Sequence, residues 1–217
     1  PMTDTVPKEI GKDNEPIGRW GRQYGSTPKA VSRSATAFLE GMLEGGVEGT
    51  VKHFPGLGRV RNNTDFSATG ITDSVATTDD PFLQPFADGI EAGAGLVMMA
   101  SARYPKLDKA NPAMFSEKIV TGLLREQMGY EGVVITDDVN AQALDAVPVG
   151  DRAVRHIGAG GDIVLTGAAS DADEMLEALA AKSAADAGFA AQVDASVARV
   201  LTLKERMGLL PCSTSTP

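Results

Sequence analysis

Short apolar runs that show no polar alternation constrain this chain more than any other feature. Leu96-Val97-Met98-Met99-Ala100 and Val133-Val134-Ile135-Thr136 are unbroken by polar residues in the way expected of strands covered on both faces. Residues 47–53 and 163–166 read as two further buried strands. Segments of helical periodicity lie between them. Ala30, Val31, Ala35, Phe38, Leu39 and Met42 recur at helical spacing, with Thr27 as N-cap, Pro28 at the first helical position and Gly45-Gly46 as the stop. Further helices are expected over residues 81–92, 116–128 with Ser116 as N-cap, 153–158, 172–181, and 193–207 ended by Gly208. Residues 1–25, rich in Gly, Pro and charge, read as a long loop, and so does the stretch through Tyr104, Pro105 and Pro112.

Helices alternating with buried strands specify an α/β fold with a parallel sheet. Four strands are present, whereas a closed (β/α)8 barrel takes eight and roughly 250 residues. The order suits an open doubly wound sheet or the second half of a barrel. No Gly-x-Gly-x-x-Gly opens a helix, since the glycines at 41–46 belong to a helix end, so a dinucleotide fold is disfavoured.

Composition excludes several function classes. With 42% hydrophobic residues in 217, the chain can build a core. A formal net charge of −9 argues against a nucleic-acid or anionic-membrane surface. No apolar run reaches the length of a membrane span. The one cysteine, Cys212, cannot form an intramolecular disulfide, and His53 and His156 are the only histidines. No metal site and no cofactor is expected. Pro1-Met2-Thr3-Asp4 reads as a chain entered in mid-domain.

Chemistry is expected where strands end, because parallel α/β folds gather their sites at the C-terminal ends of strands. Asp137 ends one apolar strand. A carboxylate there is a nucleophile or general base, or else a cap for the next helix. With Asp138 beside it both roles can be filled, since neighbours on a strand point opposite ways. Lys52 and His53 end another strand and run into the stiff turn Phe54-Pro55-Gly56-Leu57-Gly58. They can bind sugar hydroxyls, or form a structural ion pair and a satisfied core histidine. Asp65, in Asn62-Asn63-Thr64-Asp65, is either solvated turn chemistry or the second of the paired carboxylates used in glycoside cleavage. Arg22 lies in a Gly-rich stretch, as a clamp for a carboxylate or hydroxyls, or as a plain surface arginine. Asp162 stands at the N-terminal end of the last strand, where stability is the expected role.

The block Lys52-His53-Phe54-Pro55-Gly56-x-Gly58, followed by a strand ending Thr136-Asp137-Asp138, resembles glycoside hydrolase family 3, and most closely its β-N-acetylglucosaminidase branch. Arg22-Gln23-Tyr24-Gly25-Ser26-x-Pro28, Phe115-Ser116, Arg125-Glu126-Gln127-Met128-Gly129-Tyr130 and Lys204-Glu205-Arg206-Met207-Gly208-Leu209-Leu210 extend the resemblance over residues 16–210, in order. It implies the C-terminal part of a (β/α)8 TIM-type barrel over residues 1–210, with a polar tail at 211–217. It also implies a retaining glycosidase that releases terminal β-linked N-acetylglucosamine from cell-wall-type glycans through a covalent glycosyl-enzyme. Asp137 matches the nucleophile, and Lys52, His53 and Arg22 match residues that hold the terminal sugar.

In this branch the general acid/base is commonly the histidine of an Asp-Ser-His triplet on the loop after the Lys-His strand. That triplet falls here on Asn63-Thr64-Asp65, so Asp65 stands thirteen positions after Lys52 where the histidine is expected. To act as the acid, Asp65 needs its pKa raised by burial or by a negative neighbour such as Asp137. Leu57 stands where a second histidine is frequent. About three barrel strands, which carry a substrate-binding carboxylate in the family, are expected before residue 16, and only the tail of one is seen near Met2. A partial barrel exposes sheet edges and an apolar face, so pairing with the missing barrel part or another copy of the chain is expected. A β-glucosidase-like specificity and a non-catalytic sugar-binding relative are the alternatives. The Leu-Gly-Arg and Asn-Thr-Asp variants point to the cell envelope or a secreted protein, with the cytoplasm as the alternative.

Overall fold

The structure, a computed structural model, describes residues 1–210; the expected polar tail with Cys212 lies outside the described residues. Helix α1 (Pro28–Glu44) starts where its local signals put it. Thr27 is extended and its hydroxyl accepts the Ala30 N–H, with Pro28 at the first helical position. Gly45 caps the other end, and Gly46 at φ 73° turns the chain out of the helix.

Strand β1 (Thr50–Phe54) follows, then helix α2 (Gln84–Glu91) behind a 3-10 turn at Pro81–Leu83, then β2 (Leu96–Met99). Two short strands, β3 (Arg103–Tyr104) and β4 (Asp108–Pro112), pair antiparallel within the segment expected to be a loop. They show no apolar alternation, so nothing local signals them. Beyond β5 (Val133–Thr136) come helices α3 (Val149–Gly158), α4 (Ala172–Ala185) and α5 (Ala187–Arg206). Helix α5 starts earlier than its periodicity suggests because the Asp186 side chain caps the Phe189 N–H.

The main sheet has the order β1-β2-β5, with both pairs parallel. Parallel bridges extend it on each side, Met2 to Lys52 beyond β1 and Ile163 to Ile135 beyond β5. The fourth expected strand, residues 163–166, is therefore reduced to a single bridge. Thr136 N–H still donates to the Ile163 carbonyl, but the Leu165 N–H turns to the Thr136 hydroxyl instead of a backbone carbonyl. The expected α-helix at 116–128 is a π-helix over Lys118–Gln127. Ser116 caps its start, its hydroxyl accepting the Ile119 N–H. Ile119, Val120, Leu123 and Leu124 are its buried face, a spacing that α and π winding both satisfy, so the apolar pattern does not tell them apart.

The core lies between this sheet and the helices, with Phe54 meeting Phe86 edge to face at 5.3 Å. Leu176, Val197 and Leu201 on α4 and α5 are exposed. No helix among the described residues is long and apolar enough to cross a membrane.

Candidate active site

The turn after β1 is built against the first residues of the chain. Lys52 sits opposite Met98 and Phe54 opposite Met99, so His53 is an extra residue that bulges from the ladder. The Thr3 N–H and hydroxyl both donate to the Lys52 carbonyl, at 2.9 and 3.0 Å. Asp4 is fully buried, and its Oδ2 accepts the His53 N–H at 3.0 Å and meets the His53 Nδ1 at 2.8 Å. Its Oδ1 accepts the Leu57 N–H at 2.6 Å. Asn14, also buried, donates to the carbonyls of Leu57 and Val60 and accepts from Ile17 and Gly18, so all four of its hydrogen-bonding positions are filled. Tyr104 holds the turn from the other side through its hydroxyl, which donates to the Gly56 carbonyl at 2.9 Å.

At the end of β5 the adjacent aspartates face different ways. Asp137 Oδ2 lies 3.7 Å from His53 Nε2, and about a fifth of its side chain is exposed. Its backbone N–H donates to the Met99 carbonyl, which fixes it to the end of β2. Asp138 turns to the loops: its Oδ1 accepts the N–H groups of Asn140 and Gly167 at 2.9 and 3.0 Å. The expected capping carboxylate is present, but it caps two loops rather than a helix.

The Asp65 loop is tied at three points. The Asn63 side chain accepts the Asp65 N–H at 2.8 Å, and Glu15 accepts the Asn63 N–H at 3.2 Å. The carbonyls of Thr64 and Asp65 accept the N–H groups of Ala143 and Gln142, beyond β5. Asp65 is an exposed residue on the rim, yet its carboxyl is held above its ordinary range, first by partial desolvation and then by the negative charges of Asp137 and Asp138. Arg22 opposes that shift, as does the positive charge of His53 when its ring is doubly protonated. Arg22 is anchored by donating from Nη1 to the Pro16 carbonyl at 2.8 Å. Lys52 makes no ion pair among the described residues, so its ammonium is not engaged by a carboxylate.

All five residues singled out in the sequence, Arg22, Lys52, His53, Asp65 and Asp137, line one cleft of about 180 Å³. Leu57, Met98 and Leu165 form its apolar wall. His53 combines two expected states, being buried and satisfied at Nδ1 while Nε2 faces Asp137. The cleft thus presents two carboxylates, two cations and an imidazole, a set suited to a neutral polyhydroxylated ligand. Sequence reasoning missed Asp4 and Asn14, which lie in a stretch read as loop; the one available signal was the position of Asp4 directly behind the Met2 strand tail. Asp162 lies at the other end of the sheet, where its side chain is fully buried between Arg125 and Arg199.

Comparison with known proteins agrees with this geometry. The model of the glycosyl hydrolase family 3 N terminal domain matches residues 9–203. A β-hexosaminidase of Xanthomonas oryzae pv. oryzae (strain KACC10331 / KXO85) is 36% identical over 158 residues, 72% of this chain and 46% of that protein. Another, of Xylella fastidiosa (strain M23), is 37% identical over 158 residues, again 72% and 46%. The crystal structure of a β-N-acetylhexosaminidase from Beutenbergia cavernae DSM 12333 superposes with a TM-score of 0.91 at 46% identity, covering 94% of this chain and 61% of that one. A family 3 β-N-acetylglucosaminidase from Paenibacillus sp. str. FPU-7 gives 0.83 at 30% identity, covering 100% and 41%. The chain spans about half the length of the curated relatives it matches. On the span of the domain match and the parallel α/β architecture, the chain belongs to glycosyl hydrolase family 3.

Proposed function

We propose that this chain carries the sugar-cleaving site of a retaining glycoside hydrolase that removes terminal β-linked N-acetylglucosamine. The observation that carries this reading is that Asp65 and Asp137 share one cleft with Arg22, Lys52 and His53, in a chain whose relatives are named β-hexosaminidases. Asp137 attacks C1 of the terminal sugar while the bond from C1 to the leaving oxygen breaks. Asp65 gives its proton to that oxygen, so the sugar is left as an ester of Asp137. The Asp65 carboxylate then takes a proton from water, whose oxygen attacks C1 and releases Asp137 with the β configuration restored. An acid must hold a proton before it can give one, and the upward shift of Asp65 supports that role in place of a histidine. Arg22, Lys52 and His53 orient the sugar through its hydroxyls.

On the same reading the parallel sheet is an arc of a (β/α)8 barrel, and cell-wall-type glycans are the source of the sugar. The decisive experiment is release of p-nitrophenol from its N-acetyl-β-glucosaminide, with trapping by a 2-fluoro glycoside followed by mass spectrometry. The expected result is an adduct on Asp137 and no turnover in Asp137→Asn. Equal cleavage of the plain β-glucoside would overturn the acetamido specificity. Binding of N-acetylglucosamine without trapping would instead make the chain a non-catalytic sugar binder, the reading motivated by the Asn63-Thr64-Asp65 substitution.

A further inference from the structure

Asp4 touches the cleft only through other groups, yet it is fully buried and makes three short contacts to them. Two of these partners, the N–H groups of His53 and Leu57, can only donate, so both carboxylate oxygens act as acceptors. The His53 ring nitrogen 2.8 Å from Oδ2 therefore carries a proton. Nδ1 is the nitrogen so held, which leaves Nε2 turned toward the cleft and Asp137. The segment bearing Asp4 is itself locked: Thr3 is bonded to the Lys52 carbonyl, and Gly58 admits the Thr5 backbone so closely that no side chain would fit between them.

We propose that Asp4 is the positioning residue of this site: its carboxylate holds the proton on His53 Nδ1, so that the neutral imidazole offers Nε2 as the acceptor for a sugar hydroxyl. The identity of that hydroxyl as a sugar's rests on the glycosidase reading; the tautomer does not. Asparagine at position 4 would have one acceptor and one donor to face three donors. The ring would lose its reason to keep the proton on Nδ1, and Nε2 would change from acceptor to donor.

Long-range ¹H–¹⁵N correlation spectra of the labelled full chain, recorded with the ring neutral, read this directly. Only two histidines are present, and His53→Gln identifies the His53 signals. The expected result is a protonated Nδ1 and an unprotonated Nε2 in the wild type, with the proton moved to Nε2 in Asp4→Asn. The kcat/KM for the N-acetylglucosaminide should fall about 10- to 100-fold in that variant, mostly through KM, the size of effect seen when the carboxylate partner of a metal-bound imidazole is removed. A wild-type neutral ring with its proton on Nε2 overturns the proposal, and so does an unchanged tautomer in Asp4→Asn. If Asp4→Asn does not fold, the wild-type spectrum still decides. If the wild type has the stated tautomer but cleaves no glycoside, the glycosidase reading fails and the role of Asp4 stands.

Discussion

Gly58 and Thr5 meet backbone against backbone: a Cβ placed on Gly58 would lie 1.7 Å from the Thr5 carbonyl oxygen. Alanine at 58 must therefore displace the N-terminal segment, and Asp4 with it. Overpacking of this kind costs about 1–3 kcal/mol even where side chains can yield, and here the obstacle is main chain. Gly58→Ala should lower the melting temperature by several degrees and weaken the cleft's hold on ligand together with it. Gly41→Ala is the control: it sits within α1, where nothing lies within 4 Å of an added Cβ. That change should raise stability by about 0.5–1 kcal/mol and leave the cleft untouched. Calorimetry of both variants checks the contrast.

Asp137 and Asp138 are neighbours in sequence with separable consequences. Asp137→Asn should leave the melting temperature nearly unchanged, because its side chain is partly exposed and lies outside hydrogen-bonding distance of His53 Nε2 at 3.7 Å. Turnover should fall on the order of 10³-fold or more, since no other group replaces a nucleophile. Asp138→Ala should show the opposite balance. It removes the acceptor of the part-buried Asn140 N–H and of the exposed Gly167 N–H, at a cost of about 0.5–1.5 kcal/mol for each hydrogen bond lost. Denaturation midpoints beside nitrophenyl-glycoside rates for the two variants separate these effects; equal loss of stability in both would contradict it.

Much of this architecture is legible because its signals are local. Thr27-Pro28 and Gly45-Gly46 carry the ends of α1 in their own chemistry, and Val133–Thr136 shows β5 by its unbroken apolar run. Lys52, His53 and Asp137 are legible in the same way, as polar residues that end apolar strands. What stayed hidden depends on distance. Asp4 acquires its partners from residues 49 and 53 positions away, and Asn14 from residues 43 and 46 away. The short Met2 strand tail is the one local signal for Asp4, and Asn14 lies between charged residues that signal exposure. The expected strand at 163–166 failed for a related reason: a side-chain hydroxyl, Thr136, takes the Leu165 N–H that a backbone carbonyl would have accepted.

Asp65 should dominate the basic limb of the pH–rate profile. Its carboxyl is raised by desolvation and by Asp137 and Asp138, so it keeps its proton to higher pH than a free aspartate. As the acid it must be protonated, and the rate should fall as pH rises through the raised value. The same sign governs stability. The contribution is complete below the unfolded-state pKa and is lost as pH climbs through the folded one. Carboxyl ¹³C titration should show the Asp65 midpoint moving down in Asp137→Asn, because one negative neighbour is gone while the desolvation remains. A midpoint that does not move would remove Asp137 from the causes, and a basic limb unchanged in Asp65→Asn would remove Asp65 as the acid.

Asp162 should matter to the fold and not to the chemistry. Its side chain is fully buried and accepts from Arg125, from Arg199 and from the Val134 N–H, each at 2.7 Å. Arg125 is itself largely buried and donates also to the carbonyls of Tyr130, Gly132 and Gly160. Desolvation already pulls the Arg125 guanidinium below its ordinary range, and Asp162 is the group that opposes this. Removing the carboxylate strands a desolvated cation, which typically costs about 3–5 kcal/mol, more than the pair itself contributes. The network sits at the start of β5, whereas the cleft lies at its end, so the geometry around Asp137 should survive in whatever fraction folds. Asp162→Asn should therefore shift the urea midpoint strongly downward, while kcat/KM per folded molecule stays within about twofold, the scatter expected of distant, independent sites. A variant with a wild-type midpoint would show that the two arginines find other partners, and a large loss of kcat/KM at full folding would mean that the two ends of the sheet are coupled.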